Sequence, residues 1–104
     1  MIIAEITVVP IGTKTASVSK YVAKVVAELE KLGLNPELTA MGTIFEVEDL
    51  ALVLNAFTVV HESVFEQGAV RVVTTLRIDE RRDKKGSIKQ KLQSVAKKTT
   101  DFCG

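Results

Sequence analysis

The stretch LGLNPELTAMGTIFEVED, Leu32–Asp49, separates two segments of helical periodicity and is itself extended. Gly33 is placed to close the first of those segments, and Asn35-Pro36 restarts the chain away from helical dihedrals. ELTA, residues 37–40, then reads as a strand, Met41-Gly42 as a turn and TIFEV, residues 43–47, as its hairpin partner. A hairpin inserted between two helices decides the order of everything else.

Upstream, IIAEITVV (residues 2–9) is rich in β-branched side chains and alternates, with Ala4, Ile6 and Val8 on one face and Glu5, Thr7 and Val9 on the other. PIGTKTAS supplies turn chemistry, with Ser17 as the expected N-cap of a helix carrying Val18, Tyr21, Val22, Val25, Val26, Leu29 and Leu32. Downstream, Leu50, Val53, Leu54, Phe57, Val60, Val64 and Phe65 repeat at helical spacing from Asp49 until Gly68. VRVVTTLRID, residues 70–79, is a last strand, with Val72, Thr74, Leu76 and Ile78 opposite Arg71, Val73, Thr75 and Arg77. Beyond the polar ERRDKKG, Ser87 and Gln90 form an S-x-x-Q capping box ahead of Ile88, Leu92 and Val95, a short third helix. The order βαββαβ with right-handed crossovers predicts an α+β, ferredoxin-like sandwich: two helices on one face of a four-stranded antiparallel sheet, plus a short C-terminal helix.

The chain has 104 residues, 46% of them hydrophobic, which suits one domain spanning 1–104. The net charge of +1 excludes a broad basic footprint for nucleic acid. The charge is unevenly spread: residues 1–80 carry six basic and eleven acidic side chains, and residues 81–104 carry eight and two. The single cysteine, Cys103, cannot close an internal disulfide, so the expected compartment is a reducing one. Its place at the terminus marks it as an incidental thiol. Met1–Ile11 contains Glu5 and stops at Pro10 and Gly12, so it reads neither as a signal peptide nor as a membrane span; the expected location is the cytoplasm.

No catalytic set assembles from these residues. His61 is the only histidine, and without a second His, a Cys or spaced carboxylates it is a poor metal ligand and reads as a partly buried structural group. Ser17, Ser19 and Thr13 lack a nucleophile-elbow or S-x-x-K context and read as capping residues; Gly12 and Gly42 lack a dinucleotide fingerprint and read as turns. Glu46 has two readings, an enclosed carboxylate in a pocket or a solvated one at a strand end. Arg71, Arg77, Arg81 and Arg82, interleaved with Asp79 and Asp83, suit ion pairs or an anion. Four Phe and one Tyr are too few, and mostly misplaced, for an RNA-binding sheet.

VVPIGT (Val8–Thr13), the S-x-x-x-Y-V-A of Ser17–Ala23, MGTIFEVED (Met41–Asp49), the His61-Glu62 pair and RVVTTLRIDERRD (Arg71–Asp83) together resemble the small thiamine-binding, YkoF-like family. The resemblance implies a ferredoxin-like fold, dimers assembled into tetramers, no catalytic activity, and thiamine or its hydroxymethylpyrimidine part as ligand; no cofactor or metal is expected. Carried over by motif, the implied ligand-binding positions are Pro10, Gly12, Thr13, Thr43, Glu46, His61, Arg71, Thr74 and Asp79. On that reading the Gly12-Thr13 and Gly42-Thr43 steps present amides and hydroxyls to a small polar ligand, and Glu46 offers an acceptor to an aminopyrimidine. The acidic body is compatible with a cationic thiazolium.

The sheet face away from the helices carries Ile3, Val9 and Val73 among Glu5, Thr7, Thr75 and Arg77, too apolar to stay wet, which predicts a homo-oligomer, dimer or tetramer. The alternative function is a regulatory or structural interaction module whose open sheet face and basic tail mediate assembly.

Overall fold

Alternation along the first strand is realised without interruption: Ile2, Ala4, Ile6 and Val8 are buried, while Ile3, Glu5 and Thr7 between them are half-buried. The computed structural model describes residues 1–15, 17–83 and 88–103. Its elements are β1 (Ile2–Pro10), α1 (Ser19–Lys31), β2 (Glu37–Leu38), β3 (Thr43–Val47), α2 (Leu50–Glu66), β4 (Val72–Glu80) and α3 (Ile88–Cys103). The strands form one antiparallel sheet in the order β2-β3-β1-β4. This is the ferredoxin-like arrangement: each βαβ half skips one strand, and α1 and α2 lie together on one face.

The core sits between that face and the helices. Phe45, Ile6 and Ala4 from the sheet meet Tyr21, Val25 and Leu29 of α1 and Val53, Ala56, Val60 and Val64 of α2. Both helices end in the same hydrogen-bond pattern. Gly33 N–H donates to Glu30 and Leu34 N–H to Leu29; Gly68 N–H donates to Phe65 and Ala69 N–H to Val64. These are Schellman closures, and the residue after each glycine, Leu34 or Ala69, drops into or against the core. At its other end α2 is capped by Asp49, whose carboxylate accepts from Ala51 N–H at 3.0 Å.

Several local expectations are corrected. Ser17 is not the N-cap of α1: the Thr15 hydroxyl accepts from Ser17 N–H, and the cap position falls to Val18, which has no capping oxygen. The strand expected over 37–40 shortens to Glu37–Leu38, because the Thr39 hydroxyl donates to Gly42 C=O and accepts from Met41 and Gly42 N–H, closing the turn two residues early. Leu54 and Phe65, assigned to the inward stripe of α2, are 52% and 39% exposed; the inward positions between turns are taken by the small Ala56 and Ser63. Ser87 of the expected capping box and the side chain of Cys103 lie outside the described residues.

The open face is not uniformly bare. In register across it stand Glu46 of β3, Ile3 of β1 and Asp79 of β4. The first turn of α3 is fastened to both flanks of that row: Ile88 N–H donates to Glu46 Oε1 at 2.5 Å, and the Lys91 ammonium pairs with Asp79. Ile3 therefore lies between two anchors, and is half-buried. At the other end of the face Val9 and Val73, partners in register, remain 51% and 48% exposed.

The two Gly-Thr steps have different physical origins. Gly12 adopts φ +81 with open space around it, so its requirement is conformational. Gly42 is steric: a Cβ there would lie 2.9 Å from Thr7 Cγ2 and 3.0 Å from Glu5 Cγ. Gly42→Ala is expected to destabilise the fold by about 1–3 kcal/mol through overpacking, and by less once Thr7→Ser removes the methyl. Urea unfolding of the double-mutant cycle checks this, and strictly additive costs would refute the steric account.

Candidate functional site

Strand β1 is nine residues long and β3 five, and the mismatch makes a cleft. β1 pairs with β4 along its whole length, from Ile2↔Glu80 to Pro10↔Val72. Against β3 it pairs only from Ile2↔Val47 to Ile6↔Thr43, because the Thr39–Gly42 turn carries the chain away. Beyond Ile6 the flank of β1 faces a cavity of about 160 Å³. Its floor is Val8 and Thr43, its roof Val18 and Val22 from the start of α1, and its outer wall Thr39 and Met41 of the turn.

No charged side chain lines this cleft among the described residues. The polar groups it offers are threonine hydroxyls and backbone, and the Thr39 hydroxyl is already engaged in the turn. The carboxylates held below their ordinary range lie elsewhere: Glu28 takes hydrogen bonds from Lys24 and Lys31 on the outside of α1, and Glu80 takes one from Arg82. Arg81 pairs locally with Asp83. Among the described residues no group of His, Cys, Asp and Glu could hold a metal ion. Its lining among the described residues is apolar side chains, threonine hydroxyls and backbone.

The motif-derived positions do not converge on one place in this chain. Thr43, 2% exposed, faces the helices and lines the cleft. Glu46, three residues on, points to the opposite face, where it caps α3, since an odd step along a strand reverses the side chain. That outcome is neither the pocket carboxylate nor the solvated one expected. Asp79 shares the Glu46 end of the sheet through Lys91. Pro10 ends β1, Gly12 and Thr13 follow it, and Ile11 between them donates its N–H to Arg71 C=O at 2.8 Å; the Thr13 hydroxyl donates to Thr15 C=O.

His61 and Thr74 form a separate pair, with His61 Nδ1 2.9 Å from the Thr74 hydroxyl, where α2 crosses β4. The rings of Phe57 and Phe65 flank that histidine at 6.3 and 5.3 Å. The cleft residues that sequence reasoning missed are Val8, Val18, Val22, Thr39 and Met41. The available signal was the inequality between a strand-like run of eight, residues 2–9, and one of five, residues 43–47.

The sequence profile of the thiamine-binding protein family matches residues 4–96. The chain belongs to that family. It is 46% identical over 98 residues to a UPF0045 protein of Methanothermobacter thermautotrophicus, covering 94% of this chain and 99% of the relative. A Bacillus subtilis UPF0045 protein is 46% identical over 103 residues, covering 93% and 96%. Among solved structures, a hypothetical protein of Methanocaldococcus jannaschii superposes with a TM-score of 0.82 at 43% identity, covering 91% of this chain and 95% of that one. A Thermotoga maritima protein described as a candidate thiamine biosynthesis/salvage protein shares the fold, with a TM-score of 0.76 at 20% identity over 90% of this chain and 97% of its own. Membership of the thiamine-binding family supports a small-molecule-binding role. Among the described residues no helix is long and apolar enough to cross a membrane.

The His61–Thr74 hydrogen bond gives a local test. Thr74→Val keeps the shape and removes the hydroxyl, and is expected to cost about 1 kcal/mol, read as a lowered urea midpoint with an unchanged slope.

Proposed function

We propose that this chain binds thiamine or its hydroxymethylpyrimidine part without catalysing a reaction, and that residues 1–104 act as one binding domain. The observation that carries the reading is an uncharged cleft of about 160 Å³ in a member of the thiamine-binding family. Sites for drug-sized ligands run to about 300–1,000 Å³, so this one suits a single ring. The pyrimidine is neutral and flat and matches it. The thiazolium is a cation, and the described residues of the lining include no carboxylate to pair with it, so that ring stays at the mouth. Of the motif-derived positions Thr43 alone lines the cleft among the described residues.

Calorimetric titration is expected to show thiamine and hydroxymethylpyrimidine competing for one site per chain. Val22→Phe, which fills the roof, should weaken both at least tenfold while leaving the circular dichroism spectrum unchanged. Absence of heat and of thermal shift with either ligand at millimolar concentration would sink the reading.

The protein is further proposed to work as a cytoplasmic homo-oligomer, dimer or tetramer. Val9 and Val73 lie side by side on the open face, and Leu92 and Val95 of α3 are 65% and 63% exposed. Burying each such side chain is worth roughly 1.5–3 kcal/mol before the cost of association. Light scattering is expected to give a multiple of the chain mass, and Val73→Glu to lower it, by placing a carboxylate in the contact. A monomeric mass for the unaltered protein would overturn this. The same face would serve an interaction module, the second reading; capture of a different protein that Val73→Glu abolishes would favour it.

A further inference from the structure

The backbone at the floor of the cleft has a directional pattern that the hydrogen bonds fix. In an antiparallel ladder, residues alternate between exchanging both backbone bonds with one neighbour and with the other. Ile11 N–H donates to Arg71 C=O, and this pair continues the β1–β4 register. The odd-numbered residues of β1 therefore bond toward β4, and the even-numbered residues turn their N–H and C=O toward β3. Ile2, Ala4 and Ile6 find partners there in Val47, Phe45 and Thr43. Pro10 has no N–H and needs none on that side.

Val8 is left over. Extending the register would set it against Met41, but Met41 belongs to the turn and is 83% exposed. Among the described residues Val8 has no partner on the β3 side. Its side chain is buried on the helix face, so what it presents to the cleft is one backbone donor and one backbone acceptor in the plane of the sheet.

Resting on the binding reading above, we propose that the missing β1–β3 rung is the recognition element. Val8 N–H and C=O pair with the adjacent acceptor and donor edge of a neutral amino-substituted nitrogen heteroaromatic, with the ring nitrogen accepting and the exocyclic amine donating. The ligand edge stands in for the absent residue of β3. Beyond Ile6 only Val8 offers both a donor and an acceptor on this side, since Pro10 adds a carbonyl alone, and the Thr39–Gly42 turn stands beside it, so the gap suits a ring rather than an added peptide strand. Selection for the amine follows, because a ring without it leaves a desolvated carbonyl unpaired, which costs about 5- to 150-fold in affinity.

The test uses the full-length, 15N-labelled protein with 4-amino-5-hydroxymethyl-2-methylpyrimidine and its analogue lacking the amino group. The amino compound is expected to shift the Val8 amide resonance and slow its hydrogen exchange, more than at Val9, which bonds toward β4. The analogue is expected to bind at least fivefold more weakly. A loss below fivefold, or a Val8 amide that stays put at saturation, overturns the backbone pairing while leaving the cleft as a binding site. Failure of the amino compound and thiamine alike to bind overturns both.

Discussion

The central strand β1 is the member on which the other elements depend. It is the strand that both β3 and β4 pair with, and its inward side chains Ile2, Ala4, Ile6 and Val8 supply the floor on which both helices pack. Its two flanks are unequally used. Full-length pairing with β4 holds it rigid to Pro10, and shorter pairing with β3 frees its last rungs on the other side. A strand held on one flank and open on the other offers the proposed site a surface of paired, well-held backbone. Such a surface requires little reordering on association, which is the usual source of lost affinity in loop-built sites.

The same geometry disperses the polar side chains. The cleft opens on the helix side at the Thr43 end of β3, whereas Glu46 and Asp79 serve α3 on the other face at the opposite end. Glu46 and Asp79 therefore serve to hold α3 against the sheet. Their role as fasteners explains why a carboxylate can stand half-buried on β3: an N–H at a helix start, carrying part of the helix dipole, lies against it.

Much of this was legible in the residues. The order of elements followed from period alone, since IIAEITVV and TIFEV alternate while the Leu50–Phe65 run repeats at helical spacing. What could not be read was where pairing stops. Thr39 has strand propensity, yet its hydroxyl takes over the hydrogen bonding of Met41 and Gly42, and a two-residue β2 results. That local substitution of side chain for backbone also creates the cleft, so the error in the strand boundary and the failure to see the site have one cause. The family motifs were visible as a set, but motif order carries no face: Thr43 and Glu46 are neighbours in MGTIFEVED and lie on opposite sides of the sheet.

The cap on α3 bears on how the chain acquires its shape. Starting a helix fixes several residues for a single hydrogen bond and is unfavourable without help. Here that help comes from Glu46, 42 positions earlier on β3, which is itself paired with β1. The first turn of α3 is thus coupled to the sheet: a side chain of β3 supplies the acceptor for its leading N–H. The exposed Leu92 and Val95 of α3 are therefore displayed from a helix whose start is held by the sheet.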